Sequence, residues 1–121
     1  MAGDLSDKLQ RDLSVGTAWL VVLAAVARAG EPIHGYEIAR QLADEAPEGI
    51  TFKQGTLYPM LRSMETDGLL RSTLVPSTEG PARKCFVLTA EGKRVLAAWT
   101  ETWRRTGRWV NRILGGIDGL R

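Results

Sequence analysis

The sequence predicts a mainly α chain with one small β-hairpin, an α+β fold class, on three observations. Apolar residues cluster in one almost wholly apolar stretch and then recur at three- and four-residue spacing in three later ones. Two extended runs, Leu69 to Val75 and Arg83 to Leu88, flank the turn-rich segment Pro76-Ser77-Thr78-Glu79-Gly80-Pro81. A last stretch, Ala90 to Leu114, carries an apolar seam longer than a small domain can cover.

Each element has its own signals. Residues 1–13 are polar and read as a segment that frays or lies across a partner. Thr17 to Ala29 reads as a helix with almost no polar face, and hence buried all round. Gly30 and Pro32 end it, one as a C-terminal cap and the other as a stop. A second helix runs from about Gly35 to Glu45, with Ile38, Ala39, Leu42 and Ala43 inward and Glu37, Arg40, Gln41 and Asp44 outward. After a turn at Ala46 to Gly49, Ile50, Thr51 and Phe52 suggest a very short strand.

A third helix begins between Gln54 and Thr56 and buries Leu57, Met60, Leu61 and Met64. Pro59 lacks an N–H and suits its first turn or so, while Gly68 closes it in a left-handed cap. The hairpin follows. Thr89 is a good N-cap for the final helix, and Glu91 in its first turn suits the helix dipole. Three helices, a hairpin and a long helix, in that order, make a winged helix-turn-helix with a long C-terminal dimerisation helix. The expected division is a polar segment over 1–13, a winged domain over 14–89, a dimerisation helix over 90–114 and a tail over 115–121.

Composition narrows the class. Hydrophobic residues are 44% and charged residues 25% of 121, the mix of a globular domain and not of a disordered chain. Cys85 is the sole cysteine, which excludes an intrachain disulfide and fits a reducing cytoplasm. The longest apolar run, Ala18 to Ala27, has ten residues, well short of the roughly 20 that span a bilayer, so no membrane partner is expected. Net charge is +2, but residues 1–75 hold seven Lys/Arg against ten Asp/Glu and residues 76–121 hold nine against four. A basic C-terminal half suits an acidic partner, or equally a solvated basic helix.

On the third helix, Gln54, Tyr58 and Arg62 project away from the apolar face and Thr56 lies to its flank. Gln pairs with adenine and Arg with guanine in a major groove, while Tyr and Thr hydroxyls more often hold phosphate. Lys53, just before the helix, can neutralise phosphate, and Tyr36 lies where the second helix exposes backbone N–H groups to anions. The alternative is an ordinary solvated face. His34, the only histidine, reads as a structural or capping group before a ligand.

Several of these stretches resemble one family. His34-Gly35-Tyr36-Glu37-Ile38 is similar to the opening of the second helix in PadR-like regulators. Gly55-Thr56-Leu57-Tyr58-Pro59, with Leu61, Arg62, Glu65 and Gly68-Leu69-Leu70, resembles their recognition helix and its exit. Gly80-Pro81-Ala82-Arg83-Lys84 and Leu88-Thr89 with Gly92 look like their wing and the start of their last helix. The likeness spans about Leu13 to Trp103. It departs at Cys85-Phe86, where two aromatics are usual, and at Met64, where Leu is usual.

The resemblance implies a cytoplasmic, homodimeric, sequence-specific regulator of transcription, usually a repressor, bound to a duplex DNA operator. The single last helix matches the smaller subfamily. Arg83 and Lys84 then become wing contacts to the DNA backbone. The three- and four-residue spacing of Leu96, Trp99, Trp103, Thr106, Val110 and Ile113 by itself makes a dimer seam, and the resemblance makes Trp103, with Trp99, a wall against which a planar aromatic effector stacks. Plain dimer core is the alternative for both tryptophans. An enzyme is the weaker reading: one His and one Cys without an acid pattern make no nucleophile–base pair, and neither a phosphate loop nor metal ligands are evident, so no cofactor is expected. A module that binds only protein would expose more apolar residues on the third helix.

Overall fold

The computed structural model describes residues 2–48 and 52–119. Its elements run α1 (Ala2–Ala29), β1 (Ile33–His34), α2 (Gly35–Glu45), α3 (Gln54–Thr66), β2 (Leu70–Val75), β3 (Arg83–Leu88) and α4 (Ala90–Gly115). The predicted class holds: helices with a small antiparallel sheet and a long last helix. Of the short strand expected at Ile50 to Phe52, Ile50 and Thr51 lie outside the described residues, and Phe52 is in no strand.

Four helix ends have a visible cause. Gly30 takes φ 71° to stop α1, and Gly68 takes φ 81° to turn α3 toward β2, conformations that favour glycine over residues with a Cβ. The His34 ring accepts from the Glu37 N–H to cap α2, as the Thr89 hydroxyl accepts from the Gly92 N–H to cap α4. Pro59 lies deeper than a first-turn position, since α3 already begins at Gln54. Proline has no N–H to give the carbonyl four residues back, so the Gly55 carbonyl loses its helical donor there.

The core forms where Val22, Leu23, Ile38, Leu57, Leu61, Met64, Leu70 and Phe86 meet, all buried. The hairpin register pairs Leu70 with Leu88 and Val75 with Arg83. Strand β1 joins the other edge of β3 and pairs Ile33 with Phe86 and His34 with Cys85, giving the order β1-β3-β2. Two residues are too few to show a period-2 pattern, so this strand leaves no sequence signal.

Two expectations are corrected. Residues 2–13 are not a separate polar arm: they are the first half of α1, one uninterrupted helix of 28 residues across the expected division at 13. Leu5, Leu9 and Leu13, four apart, form a stripe on it, and all three are exposed. Nor is Thr17–Ala29 buried all round. Val22, Leu23, Ala25 and Val26 enter the core, but Trp19 and Val21 stay exposed. Over Asp7–Ala29 the helix is long and apolar enough to cross a membrane, with mean hydropathy 1.5, although its inner face belongs to this core. On α2, Ala43 is likewise exposed.

Candidate nucleic-acid interface

Helix α3 packs through Leu57, Met60, Leu61 and Met64, and this inward face decides what faces out. Lys53, Gln54, Thr56, Tyr58 and Arg62 are all exposed, as the spacing predicted. Lys53 occupies the N-cap position without a side-chain cap bond, so its ammonium is not spent on the helix end.

Tyr58 has a second task. A Cβ placed on Gly35 would come within 2.6 Å of Tyr58 Cε1, so the ring packs directly against the start of α2. Only glycine leaves that room. Tyr58 thereby joins the two helices while its rim stays exposed. Tyr36, one residue on, is exposed and stacks on His34 with ring centroids 6.3 Å apart.

His34, Gly35, Tyr36, Tyr58, Arg62, Arg83, Lys84 and Phe86 line one open groove of about 750 Å³. The start of α2, the outer face of α3 and the wing strand β3 thus meet in one basic, aromatic concavity. Of the expected contacts, Tyr36, Tyr58, Arg62, Arg83 and Lys84 come together here, while Lys53, Gln54 and Thr56, at the start of α3, are not part of its lining.

Arg83 and Lys84 are not equivalent. Neighbouring strand residues leave on opposite faces. Lys84 Nζ sits 3.1 Å from Glu65 Oε1 and 5.6 Å from the centre of the Phe86 ring. Glu65 also accepts from the Ser72 hydroxyl, and these two partners, Ser72 first, hold its carboxyl below the usual range. Lys84 therefore pins the wing to α3. Arg83 instead reaches His34, with Nη1 3.1 Å from Nε2. Glu65 escapes the sequence reading of this surface, where it is only a motif letter; His34 is read there as a structural or capping group, and a strand pairing invisible in the pattern also brings it to the wing.

The last helix divides in two. Leu96 and Trp99 pack partly buried on the chain's own core. Trp103, Val110 and Ile113 are exposed, as are Trp109, Leu114 and Ile117. Trp103 borders two grooves beside α1. One, of about 550 Å³, is lined by residues that include Leu13, Val21, Leu42 and Phe52. The other, of about 490 Å³, is shared with Trp19, Leu20 and Trp99.

Comparison with known proteins agrees with this geometry. Residues 22–98 match the transcriptional regulator PadR-like family, more than half of the chain. This chain belongs to the PadR-like family. A Mycobacterium tuberculosis protein named as a transcriptional regulator is 34% identical over 88 residues, 73% of this chain and 76% of that one. The crystal structure of a PadR family regulator from Eggerthella lenta superposes with TM-score 0.80 at 31% identity, covering 96% of this chain and 97% of that one. A PadR-like regulator from Bacillus cereus gives TM-score 0.76 at 26% identity, over 88% and 99%. The PadR-like fold here is a winged helix-turn-helix, and the family consists of DNA-binding transcriptional regulators, not enzymes.

Proposed function

We propose that this PadR-like protein is a homodimeric repressor that reads a specific duplex operator in the cytoplasm with α3 and holds the DNA backbone with the start of α2 and the wing. The observation that carries the reading is the convergence of Tyr36, Tyr58, Arg62 and Arg83 on one groove. Arg62 has the reach and donor geometry for guanine, Gln54 has the amide that pairs with adenine, and Tyr36, Lys53, Thr56 and Tyr58 hold phosphates. The experiment is selection of duplexes from a random pool, followed by binding measured at several salt concentrations. Enrichment of a two-fold-related sequence is expected, and no enrichment would refute the reading. Repression is tested with a reporter behind the selected operator: its output should fall when the protein is expressed.

Dimerisation is supported by uncovered apolar surface. Leu5 is 72% exposed, Trp103 49% and Ile113 60%, and large apolar side chains left uncovered along two helices mark an interaction surface. A second copy laid along α1 and the outer half of α4 covers it, and two-fold symmetry sets two α3 helices on successive turns of DNA. Trp103, beside apolar grooves of ligand size, is the proposed stacking wall for a planar aromatic effector that releases the operator, with Trp99 next to it. Quenching of tryptophan fluorescence by such compounds, lost in Trp103→Ala, tests this.

A further inference from the structure

The contact between His34 and Arg83 follows from strand register. His34 pairs with Cys85, so Arg83 is its diagonal neighbour two residues along β3, on the same face of the sheet. The imidazole is thereby offered two hydrogen bonds. Nδ1 lies 3.3 Å from the Glu37 N–H that it caps, and Nε2 lies 3.1 Å from the Arg83 guanidinium. Both partners are donors. A neutral imidazole has one accepting nitrogen, so it can satisfy only one of them at a time.

We propose that His34 is a positioning residue that holds Arg83 in the free protein and passes it to a DNA backbone phosphate, an inference that rests on the DNA-binding reading above. Without DNA, the ring exchanges between two tautomers, one accepting from the Glu37 N–H at Nδ1 and the other accepting from Arg83 at Nε2. A phosphate oxygen entering the groove is a stronger acceptor for the guanidinium than a neutral ring. Arg83 turns to it, and the ring, freed at Nε2, settles with its proton there by exchange with water. Nδ1 then accepts from the Glu37 N–H and completes the cap. No proton is gained or lost. The nearest carboxylate on α2 does not compete for Arg83, because Glu37 is engaged by Arg40 and Gln41. Lys84, which lines the same groove, is engaged by Glu65. Phosphate binding and completion of α2 thus become one event at the junction of wing and helix.

The test uses the full-length protein and the duplex that the wild type selects from a random pool. His34→Asn retains an oxygen able to cap α2 but has nothing at the position of Nε2. Its unfolding midpoint should stay close to that of the wild type, while duplex affinity falls on the order of tenfold. Arg83→Ala should weaken binding as well, and the double variant should be no weaker than Arg83→Ala alone, because the two residues act as a unit. His34 is the only histidine, so its ring nitrogens can be followed by nitrogen-15 NMR without ambiguity. The ring should pass from an exchange-averaged pair of tautomers to the Nε2-protonated form when the duplex is added. Unchanged ring signals, or additive losses in the double variant, overturn the role given to His34 while leaving DNA binding intact. Failure of the wild type to select any duplex overturns both.

Discussion

At the scale of single residues, two glycines show how differently a crowded position can behave. A Cβ on Gly92 would lie 2.1 Å from the Leu69 carbonyl oxygen, which is backbone and cannot step aside. Gly92→Ala should therefore cost about 3 kcal/mol in urea unfolding, the scale of an overpacked core. A Cβ on Gly35 meets only the Tyr58 ring, which can swing outward. Gly35→Ala should leave stability nearly intact but weaken operator binding, because it displaces Tyr58 from the groove. Equal stability losses in both variants would contradict this account. A third residue sets a pH response. Hydrogen bonds from Arg40, then Gln41, lower the Glu37 carboxyl to about 2. A depressed folded pKa contributes stability above the unfolded value of 4.5, lost as pH falls toward about 2. Glu37→Gln should flatten that part of the melting-temperature profile, and added salt should shrink the difference, since the group is screened by water.

At the scale of elements, α3 and the wing divide the work. Arg62→Ala should weaken the selected operator by about 1–3 kcal/mol and relax base preference at one position, with folding unchanged, because Arg62 lies outside the core. Arg83→Ala should weaken all duplexes alike and flatten the salt dependence of binding. Lys84→Ala should alter the salt dependence less, because Lys84 already has Glu65 as a partner. Binding curves for the three variants at four salt concentrations check all of this; a larger salt effect for Lys84→Ala than for Arg83→Ala would reverse the assignment. Glu65 gives these elements a fixed angle by holding Ser72 of β2 and Lys84 of β3 against α3.

At the scale of the whole molecule, the two long helices present what the small core cannot cover. The outer half of α4 and the first half of α1 carry exposed apolar stripes on the same chain. Val110→Asp and Ile113→Asp should each give monomers in sedimentation, because a charge buried without a partner is costly. Operator affinity should fall when dimerisation is lost, since joining two reading heads makes the second contact intramolecular. Leu96 and Trp99 pack on their own core, so substitutions there should unfold the chain instead of separating two folded copies.

The sequence by itself determined the order of the four helices and the hairpin, the inward face of α3 and the Thr89 cap. Those depend on local periodicity and turn chemistry, which a chain displays residue by residue. It also determined the exposed set Gln54, Tyr58 and Arg62, since what is not inward on an amphipathic helix is outward. The tertiary structure decided what proximity decides. It made β1 a strand, set His34 beside Arg83, tied Lys84 to Glu65 and gave Trp99 to the core while leaving Trp103 outside. It also continued α1 back to Ala2, through residues whose Leu5, Leu9 and Leu13 spacing was visible but outnumbered by polar neighbours. Strand pairing and side-chain pairing join residues far apart in the chain, and one-dimensional spacing carries no record of which distant groups will meet.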